Sequence, residues 1–155
     1  MICTEITRLN FSFLEKLKHI HRECFKDIIY SDSSYKNFLD KNIFRTYGII
    51  DTSNDNLLAF IILTTNQNEA DIVSIGVTKN FRRNGFAKSL IYFCIRKYYL
   101  KKIFLEVSVL NIEAISFYIN LDFKKIGIRK NYYKDMLGNE IDSYMMCKNV
   151  PRETF

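Results

Sequence analysis

The chain has 155 residues, of which 48% are apolar and 26% are charged, as is typical of a soluble globular protein. This apolar content excludes a disordered chain, and no apolar run approaches the roughly 18 residues of a membrane-spanning helix. Lysine and arginine number 23 against 17 aspartates and glutamates, so the formal net charge is +6. A basic balance favours an anionic partner, such as nucleic acid, a membrane surface or a phosphorylated cofactor, without choosing among them. We predict a single domain over residues 1–155.

The cysteines are widely spaced and form no CxxC pair, and the two histidines, His19 and His21, are too close together for an i, i+4 ligand pair. We therefore predict no metal site and free thiols in a reducing compartment, which indicates a cytoplasmic protein. The first residues lack the basic segment and apolar core of a secretory signal. The four cysteines are Cys3, Cys24, Cys94 and Cys147.

Hydrophobic periodicity predicts the secondary structure of the first half of the chain. A strand over 2–7 precedes a helix with an apolar stripe from Phe13 to Cys24 and a short helix opened by Asp32, Ser33 and Ser34. Three strands follow, over 44–51, 57–65 and 70–77. Short polar turns separate them, so we predict an antiparallel meander.

The second half continues with a helix over 85–98, a strand over 103–109 and a helix over 111–120. Extended segments over 123–133 and 141–147 complete the chain. The order βααβββαβαββ predicts an α/β (α+β) fold, with helices packed on a mixed sheet around one core. The inward face of the 85–98 helix is predicted to carry Leu90, Ile91, Cys94 and Ile95.

A basic, glycine-containing loop joins the strand 70–77 to the helix 85–98. The first turn of a helix has unpaired N–H groups and a partial positive charge, so it binds anions where small residues allow close approach. The loop is neither a Walker A sequence nor GxGxxG, and as an isolated motif it is equally consistent with solvated arginines. Its sequence is Arg82-Arg83-Asn84-Gly85-Phe86-Ala87.

The distribution of charge favours the anion site. Between Ile72 and Leu105 there are eight basic residues and no acidic one, whereas the rest of the chain has 15 basic and 17 acidic residues. The whole positive excess therefore lies in the segment that contains the loop, and a phosphate or pyrophosphate is the expected ligand. The eight residues are Lys79, Arg82, Arg83, Lys88, Arg96, Lys97, Lys101 and Lys102.

The pattern Arg82-x-x-Gly85-x-Ala87 resembles the Q/R-x-x-G-x-G/A signature of the GCN5-related N-acetyltransferase (GNAT) superfamily. Further segments between residues 69 and 146 resemble, in the same order, those of RimI-type N-terminal acetyltransferases. The resemblance implies the GNAT fold, with a mixed, mostly antiparallel central sheet. These segments are Leu105-Glu106-Val107 with Asn111, Ala114, Tyr118 and Phe123, then Arg129-Lys130-Asn131-Tyr132-Tyr133, and finally Asp142 with Met146 of a "DA..M" ending.

The resemblance also implies acetyl-coenzyme A as the acetyl donor. In the family, the strand before the signature bulges and splays from the next strand, and the pantetheine lies in that opening against backbone groups. Asn111 matches a residue that touches the cofactor, although it equally suits a helix N-cap. The implied cofactor contacts are Ile75, Gly76 and Val77 for the pantetheine, and Arg82, Arg83, Asn84, Gly85, Phe86, Ala87 and Lys88 for the pyrophosphate.

Glu106 and Tyr118 match the general base and the general acid of the subfamily. Leu105 and Val107 alternate with Glu106, so the glutamate points away from the apolar face, as an ordinary exposed strand glutamate also would. Tyr118 shares a helical face with Ile115, and its alternative role is that of a core aromatic.

Acetyl transfer from a thioester requires these residue types. The attacking amine must be neutral: an α-amine, with a pKa of about 7.7–8.0, is about a quarter neutral near pH 7.4, whereas a lysine is about 0.1% neutral. A glutamate acting through water can deprotonate an α-ammonium more easily than a lysine ammonium, because the pKa of the α-amine lies closer to the working pH. The N–H of Val77 suits the oxyanion, and a tyrosine can protonate the departing thiolate, so no cysteine needs a role.

The sequence departs from the family pattern in three places. Asp122 replaces a usual glycine at a helix end, where we predict a left-handed backbone that aspartate tolerates. Ser108 replaces a usual arginine, and the segment 25–35, which frames the acceptor groove in the family, lacks its "PWS" sequence. The groove residues that we predict, equally explicable as ordinary surface or core aromatics, are Tyr30, Tyr132 and Tyr133.

The preferred function is acetylation of a protein N-terminus, by resemblance a ribosomal-protein alanine. The altered segment 25–35 leaves open a small amine or a lysine as the acceptor. A third reading is a non-catalytic module that binds coenzyme A or nucleic acid, against which Glu106, Tyr118 and the lack of a nucleic-acid motif argue. We therefore expect a protein or peptide N-terminus as partner, and neither a direct nucleic-acid substrate nor a membrane. Three lysines keep no assigned role beyond solvation or an anionic partner such as a ribosomal particle: Lys97, Lys101 and Lys102.

Overall fold

The computed structural model describes residues 1–5, 11–25, 31–40, 42–134 and 137–151. Its helices and strands follow one another in the predicted order, with a short 3-10 helix at Lys79–Phe81. They are β1 (Ile2–Glu5), α1 (Phe11–Cys24), α2 (Asp32–Phe38), β2 (Arg45–Asp51), β3 (Asn56–Asn66), β4 (Glu69–Val77), α3 (Phe86–Tyr98), β5 (Lys102–Ser108), α4 (Ile112–Ile119), β6 (Lys124–Lys134) and β7 (Glu140–Asn149).

The strands form one seven-stranded sheet in the order β1-β2-β3-β4-β5-β7-β6. Short turns join β2, β3 and β4 into an antiparallel meander. The helix α3 carries the chain from β4 to β5, and a crossover of this kind makes those two strands parallel. The remaining pairs are antiparallel, so the prediction of a mixed, mostly antiparallel sheet with flanking helices is confirmed.

The prediction of one core is wrong, because the central strands are buried on both faces of the sheet. On one face, α3 and α4 cover a first cluster that includes Ala59, Ile61 and Leu63 of β3. On the other face, α1 and α2 cover a second cluster that includes Phe60 and Ile62. The continuous apolar run of β3 supplies both clusters, since successive residues of a strand point to opposite faces.

A β-bulge at Val73 changes which residues of β4 face each cluster. Ile62 pairs with Ser74 and Leu63 with Ile72, so Val73 is the extra residue of β4. As a result, Ile72 and Ile75 both pack on the first cluster. The bulge thus shifts the two-residue alternation of β4 by one position.

Beyond this bulge, β4 and β5 separate. Their parallel pairing covers only Glu69–Ile72 of β4 and residues 102–105 of β5. β4 continues to Val77 and β5 to Ser108 with no further pairing between them in the described ranges. The two strands therefore leave an opening in the sheet at their carboxyl ends, as the family resemblance implied.

Three local predictions have definite outcomes. Asp122 has φ of +64°, so the predicted left-handed backbone is confirmed. Asn111 is the N-cap of α4, and its Oδ1 accepts the N–H of Ala114 at 3.1 Å. The N-cap of α2 is Ser31, whose Oγ accepts the N–H of Ser34, one residue before the cap that we predicted.

No helix in the described part of the chain is long and apolar enough to cross a membrane.

Candidate active site

The basic loop ends at the first turn of α3, where backbone N–H groups are open to a ligand. Gly85 is the N-cap with φ of +80°, and no side chain in the described ranges caps this turn. Arg83 also has a left-handed backbone, with φ of +64°. All residues from Arg82 to Gly85 are exposed. The turn therefore offers free N–H groups, the helix dipole and the exposed side chain of Arg83 to an anion.

Arg82 anchors this loop to the end of β4 and to α1. Its Nε donates to the carbonyl oxygen of Val77 at 3.3 Å, and its Nη2 lies 3.9 Å from Sγ of Cys24. The Cys24 thiol donates to the same carbonyl at 3.3 Å, and burial raises the pKa of that thiol. The preceding residue of α1 adds a second contact to this loop, because Oε1 of Glu23 accepts the N–H of Lys79 at 3.0 Å. No sequence signal indicated this link, which joins residues more than 50 positions apart.

The three predicted pantetheine residues line the end of β4 but present different faces. Ile75 and Val77 are half-buried against the first cluster. Gly76 points to the second cluster, where a Cβ would lie 2.7 Å from Cε1 of Phe60 and 3.0 Å from Sγ of Cys24. Packing therefore explains why this position is glycine. Any role of the three in holding a cofactor rests on their backbone at the opening.

Glu106 lies on β5 at the opening, on the face away from the first cluster, as the alternation with Leu105 and Val107 predicts. Its side chain is 20% exposed, and its Oε1 accepts a hydrogen bond from Nη1 of Arg129 at 2.8 Å. Its carbonyl oxygen accepts the hydroxyl of Tyr133 at 3.2 Å. The carboxylate is thus partly sheltered and is bound by a side chain of β6.

The segment of β6 that reaches Glu106 contains an irregular stretch between Arg129 and Tyr133. Within it, Asn131 has φ of +55° and donates its N–H to Oδ1 of Asp142 at 3.0 Å. Lys130 Nζ donates to Oδ2 of the same carboxylate at 2.6 Å. The ammonium of Lys130, followed by the Asn131 N–H, lowers the pKa of Asp142. Asp142 therefore holds the backbone of this segment in place.

The structure places two of the three predicted groove tyrosines beside Glu106. Tyr132 and Tyr133 form a T-shaped pair with ring centroids 4.7 Å apart, and the Arg129 guanidinium lies over the Tyr132 ring at 4.6 Å. The third, Tyr30, lies outside the described residues. The family motif located Tyr132 and Tyr133, but nothing in it indicated the contacts of Arg129.

Tyr118 is on α4, only 7% exposed, and packs in the first cluster with Leu105 and Val107. Its ring is 5.5 Å from that of Phe123. Burial raises the pKa of its hydroxyl above the usual range, so the phenol stays protonated under ordinary conditions. Glu106 and Tyr118 therefore belong to opposite faces of β5, and the opening between β4 and β5 connects those faces.

A second carboxylate, Asp71, adds negative charge near Glu106. Partial burial raises its pKa, and the charges of Glu106 and Glu69 act in the same direction. Within the described residues, no three His, Cys, Asp or Glu side chains come together as a metal site.

The chain matches a known protein family over most of its length. The sequence profile described as the Acetyltransferase (GNAT) family matches residues 14–123. An N-alpha-acetyltransferase of Saccharolobus solfataricus is 38% identical over 81 residues, which are 50% of this chain and 46% of that protein. A ribosomal protein bS18-alanine N-acetyltransferase of Haemophilus ducreyi is 34% identical over 99 residues, which are 62% of this chain and 68% of that protein.

The architecture is likewise shared with solved structures. The crystal structure of Arabidopsis thaliana NAA60 in complex with acetyl-CoA superposes with a TM-score of 0.81 at 20% identity, and the match covers 96% of this chain and 98% of that one. The chain thus spans less than half the length of the Saccharolobus relative but nearly all of the plant structure. Profile, relatives and fold agree: the chain belongs to the Acetyltransferase (GNAT) family.

Proposed function

We propose that this chain transfers an acetyl group to the N-terminal α-amine of a protein, with a ribosomal-protein alanine as the first acceptor to test. The observation that carries the proposal is the opening between β4 and β5, which has Glu106 on one face and Tyr118 on the other. Relatives named as acetyltransferases of N-terminal α-amines and of the bS18 alanine support it. We propose a cytoplasmic location, and the proposal needs neither a nucleic-acid substrate nor a membrane.

The described residues fit acetyl-coenzyme A, which supplies the acetyl thioester. The opening would take the pantetheine against the backbone of Ile75, Gly76 and Val77. The uncapped first turn of α3 suits the pyrophosphate, because residues 82–88 combine free N–H groups with basic side chains. Asn111 would add a cofactor contact from the start of α4 while it also caps that helix.

Each proposed catalytic group either transfers one proton or stabilises one charge. Glu106 takes a proton from the acceptor ammonium and leaves a neutral amine. The N–H of Val77 stabilises the oxyanion as the amine nitrogen bonds to the acetyl carbon. Tyr118 gives its proton to the sulfur as the carbon–sulfur bond breaks, and the surplus proton of the new amide nitrogen returns through solvent to the phenolate. The phenol is suited to this step because burial keeps it protonated.

Mass spectrometry of synthetic peptides incubated with acetyl-coenzyme A and this protein tests the proposal. One peptide begins with a free alanine, a second has a blocked N-terminus and an internal lysine, and a simple primary amine is the third substrate. We expect acetylation of the free alanine. The Glu106→Gln variant should bind acetyl-coenzyme A in calorimetry as the parent does. Its turnover should fall by at least about 10²-fold.

Two outcomes contradict the proposal. Full turnover by Glu106→Gln would reject glutamate as the base. Acetylation of the lysine or the simple amine, with the free alanine untouched, would establish the second candidate function. That candidate is favoured by the absence of the "PWS" sequence from segment 25–35, which frames the acceptor groove in the family.

A further inference from the structure

The ion pair between Arg129 and Glu106 spans a strand. The sheet order is β5-β7-β6, so Arg129 on β6 reaches across β7 to touch Glu106 on β5. The Arg129 side chain is 59% exposed and that of Glu106 is 20% exposed. Exposed ion pairs contribute little to stability, because water solvates both partners well when they separate. The pair can therefore open without disturbing the fold.

A buried hydroxyl lies on β7 beside Arg129 and on the same face of the sheet as Glu106, whose own partner on β7 is Met145. Ser143 pairs with Ser108 of β5 on one side and with Arg129 of β6 on the other. It is 0% exposed, and its Oγ has no hydrogen-bond partner in the described ranges. A buried hydroxyl without a partner is costly, so a ligand group that donates to Oγ of Ser143 gains by satisfying it.

Arg129 is not needed to hold its own segment. The Asn131 N–H and the Lys130 ammonium both bind Asp142, and Tyr133 donates to the Glu106 carbonyl. These contacts fix the irregular stretch of β6 independently of the Arg129 guanidinium. The guanidinium also rests on the exposed ring of Tyr132, which gives it a place to remain when it leaves the carboxylate.

We propose that Arg129 is a displaceable counter-ion of Glu106, and that the ammonium of the acceptor replaces it between the Glu106 carboxylate and the Ser143 hydroxyl. The inference rests on the proposed function and names how the same site recognises its acceptor. One N–H of the ammonium bonds to Oε1 of Glu106 and a second to Oγ of Ser143. The first of these protons then passes to the carboxylate, so that a protonated Glu106 and a neutral amine result, and the amine turns so that its lone pair faces the opening.

This arrangement implies direct contact between amine and glutamate, in place of the water-mediated transfer expected from the sequence. It also selects for a primary ammonium, because two N–H groups are bound and the nitrogen must still face the opening. In the resting enzyme, the Arg129 guanidinium occupies the Glu106 carboxylate and competes with the acceptor for it.

The test compares steady-state kinetics of Arg129→Gln with those of Lys124→Gln, which removes the same charge from an exposed position of the same strand. Loss of a competitor should lower the acceptor KM of Arg129→Gln about three-fold, with kcat changed by less than about two-fold. Lys124→Gln should match the parent in each of these.

Ser143→Ala gives an independent readout. The change removes a hydroxyl without a partner, so thermal stability should be unchanged or higher, while the acceptor KM rises about three-fold or more. A fall of kcat in Arg129→Gln at constant KM would instead show a fixed brace and overturn the proposal, as would an unaltered KM in Ser143→Ala. Full turnover by Glu106→Gln would reject the proposed base itself, so failure at that level is distinguishable.

Discussion

Gly76 and Phe60 face each other across β4 and β3 so closely that a Cβ on Gly76 would lie 2.7 Å from Cε1 of Phe60. Phe60 is fully buried in the second cluster and has no room to yield. We therefore expect Gly76→Ala to lower the free energy of unfolding by about 1–3 kcal/mol, as overpacking of a rigid site does. Urea unfolding monitored by circular dichroism measures the change.

Gly127→Ala is the matched control. Its Cβ would lie 3.0 Å from Cε of Met145, the end of a flexible side chain that can move away. We expect a loss below about 1 kcal/mol there, since such a neighbour repacks. In the Gly76→Ala background, Phe60→Leu should restore part of the lost stability. Equal losses in the two glycine variants would contradict this explanation.

The left-handed glycine at the start of α3 gives a second prediction. Gly85 has φ of +80° and Gly138 has φ of +83°, and a Cβ on either would meet nothing within 4 Å. Alanine at either position should therefore cost the same backbone strain, about 1–2 kcal/mol. Only Gly85→Ala should weaken acetyl-coenzyme A binding, measured by calorimetry, because only that turn is proposed to hold the pyrophosphate. Equal affinities in both variants would place the pyrophosphate elsewhere.

His21 predicts how stability depends on pH. It is buried among Phe25, Tyr35 and Phe60, and burial lowers its pKa to about 4. Its pKa in the unfolded chain is about 6.5, so between the two values the unfolded state binds a proton that the native state does not. Stability should therefore fall as the pH drops through this window, by about 3 kcal/mol in full.

The variant His21→Phe keeps an aromatic ring but cannot titrate. Urea unfolding between neutral pH and about pH 4 should show a shallower loss of stability than in the parent, by the amount assigned to His21. His19→Gln, which changes an exposed histidine of the same helix, should keep the slope of the parent. Parallel curves for the parent and His21→Phe would refute the assignment.

Tyr118 provides the test of the proposed acid. Tyr118→Phe removes one oxygen from a buried ring that packs near Phe123, so the fold should be retained. We expect kcat to fall about 10²-fold, the lower range for a general acid, with the KM for acetyl-coenzyme A nearly unchanged. Phe117→Leu, on the same helix and beside the same ring, controls for packing and should keep most of kcat. An unchanged kcat in Tyr118→Phe would contradict the proposed role and indicate that solvent protonates the thiolate.

The order and most boundaries of the elements could be predicted because apolar residues recur with the period of a helix or a strand. The strand predicted over 70–77 spans Glu69–Val77, and the helix predicted over 85–98 spans Phe86–Tyr98. Periodicity did not reveal the bulge at Val73, because one extra residue in a continuous apolar run leaves no mark in composition. By contrast, the nearly continuous apolar run of β3 is typical of a strand buried on both faces, and β3 does supply both clusters.

The site was only partly predictable. The family motif singled out Glu106, Tyr118 and the basic loop as candidates, since these are short local patterns. The pairing of Glu106 with Arg129 was not visible, because it depends on the irregular register of β6 and on the strand order. The unpaired hydroxyl of Ser143 follows from that same register and is a property of the folded sheet rather than of any motif.

The opening between β4 and β5 connects the two faces of the sheet. Tyr118 approaches that opening from the α4 side and Glu106 from the other side. The proposed acetyl donor would bind from the face that carries α3 and α4, and the proposed acceptor from the face of Glu106. Neither substrate then blocks the binding or the release of the other. We therefore expect initial-rate kinetics to show intersecting lines, as for a complex that holds both substrates at once, and the acetylated product to leave without waiting for coenzyme A.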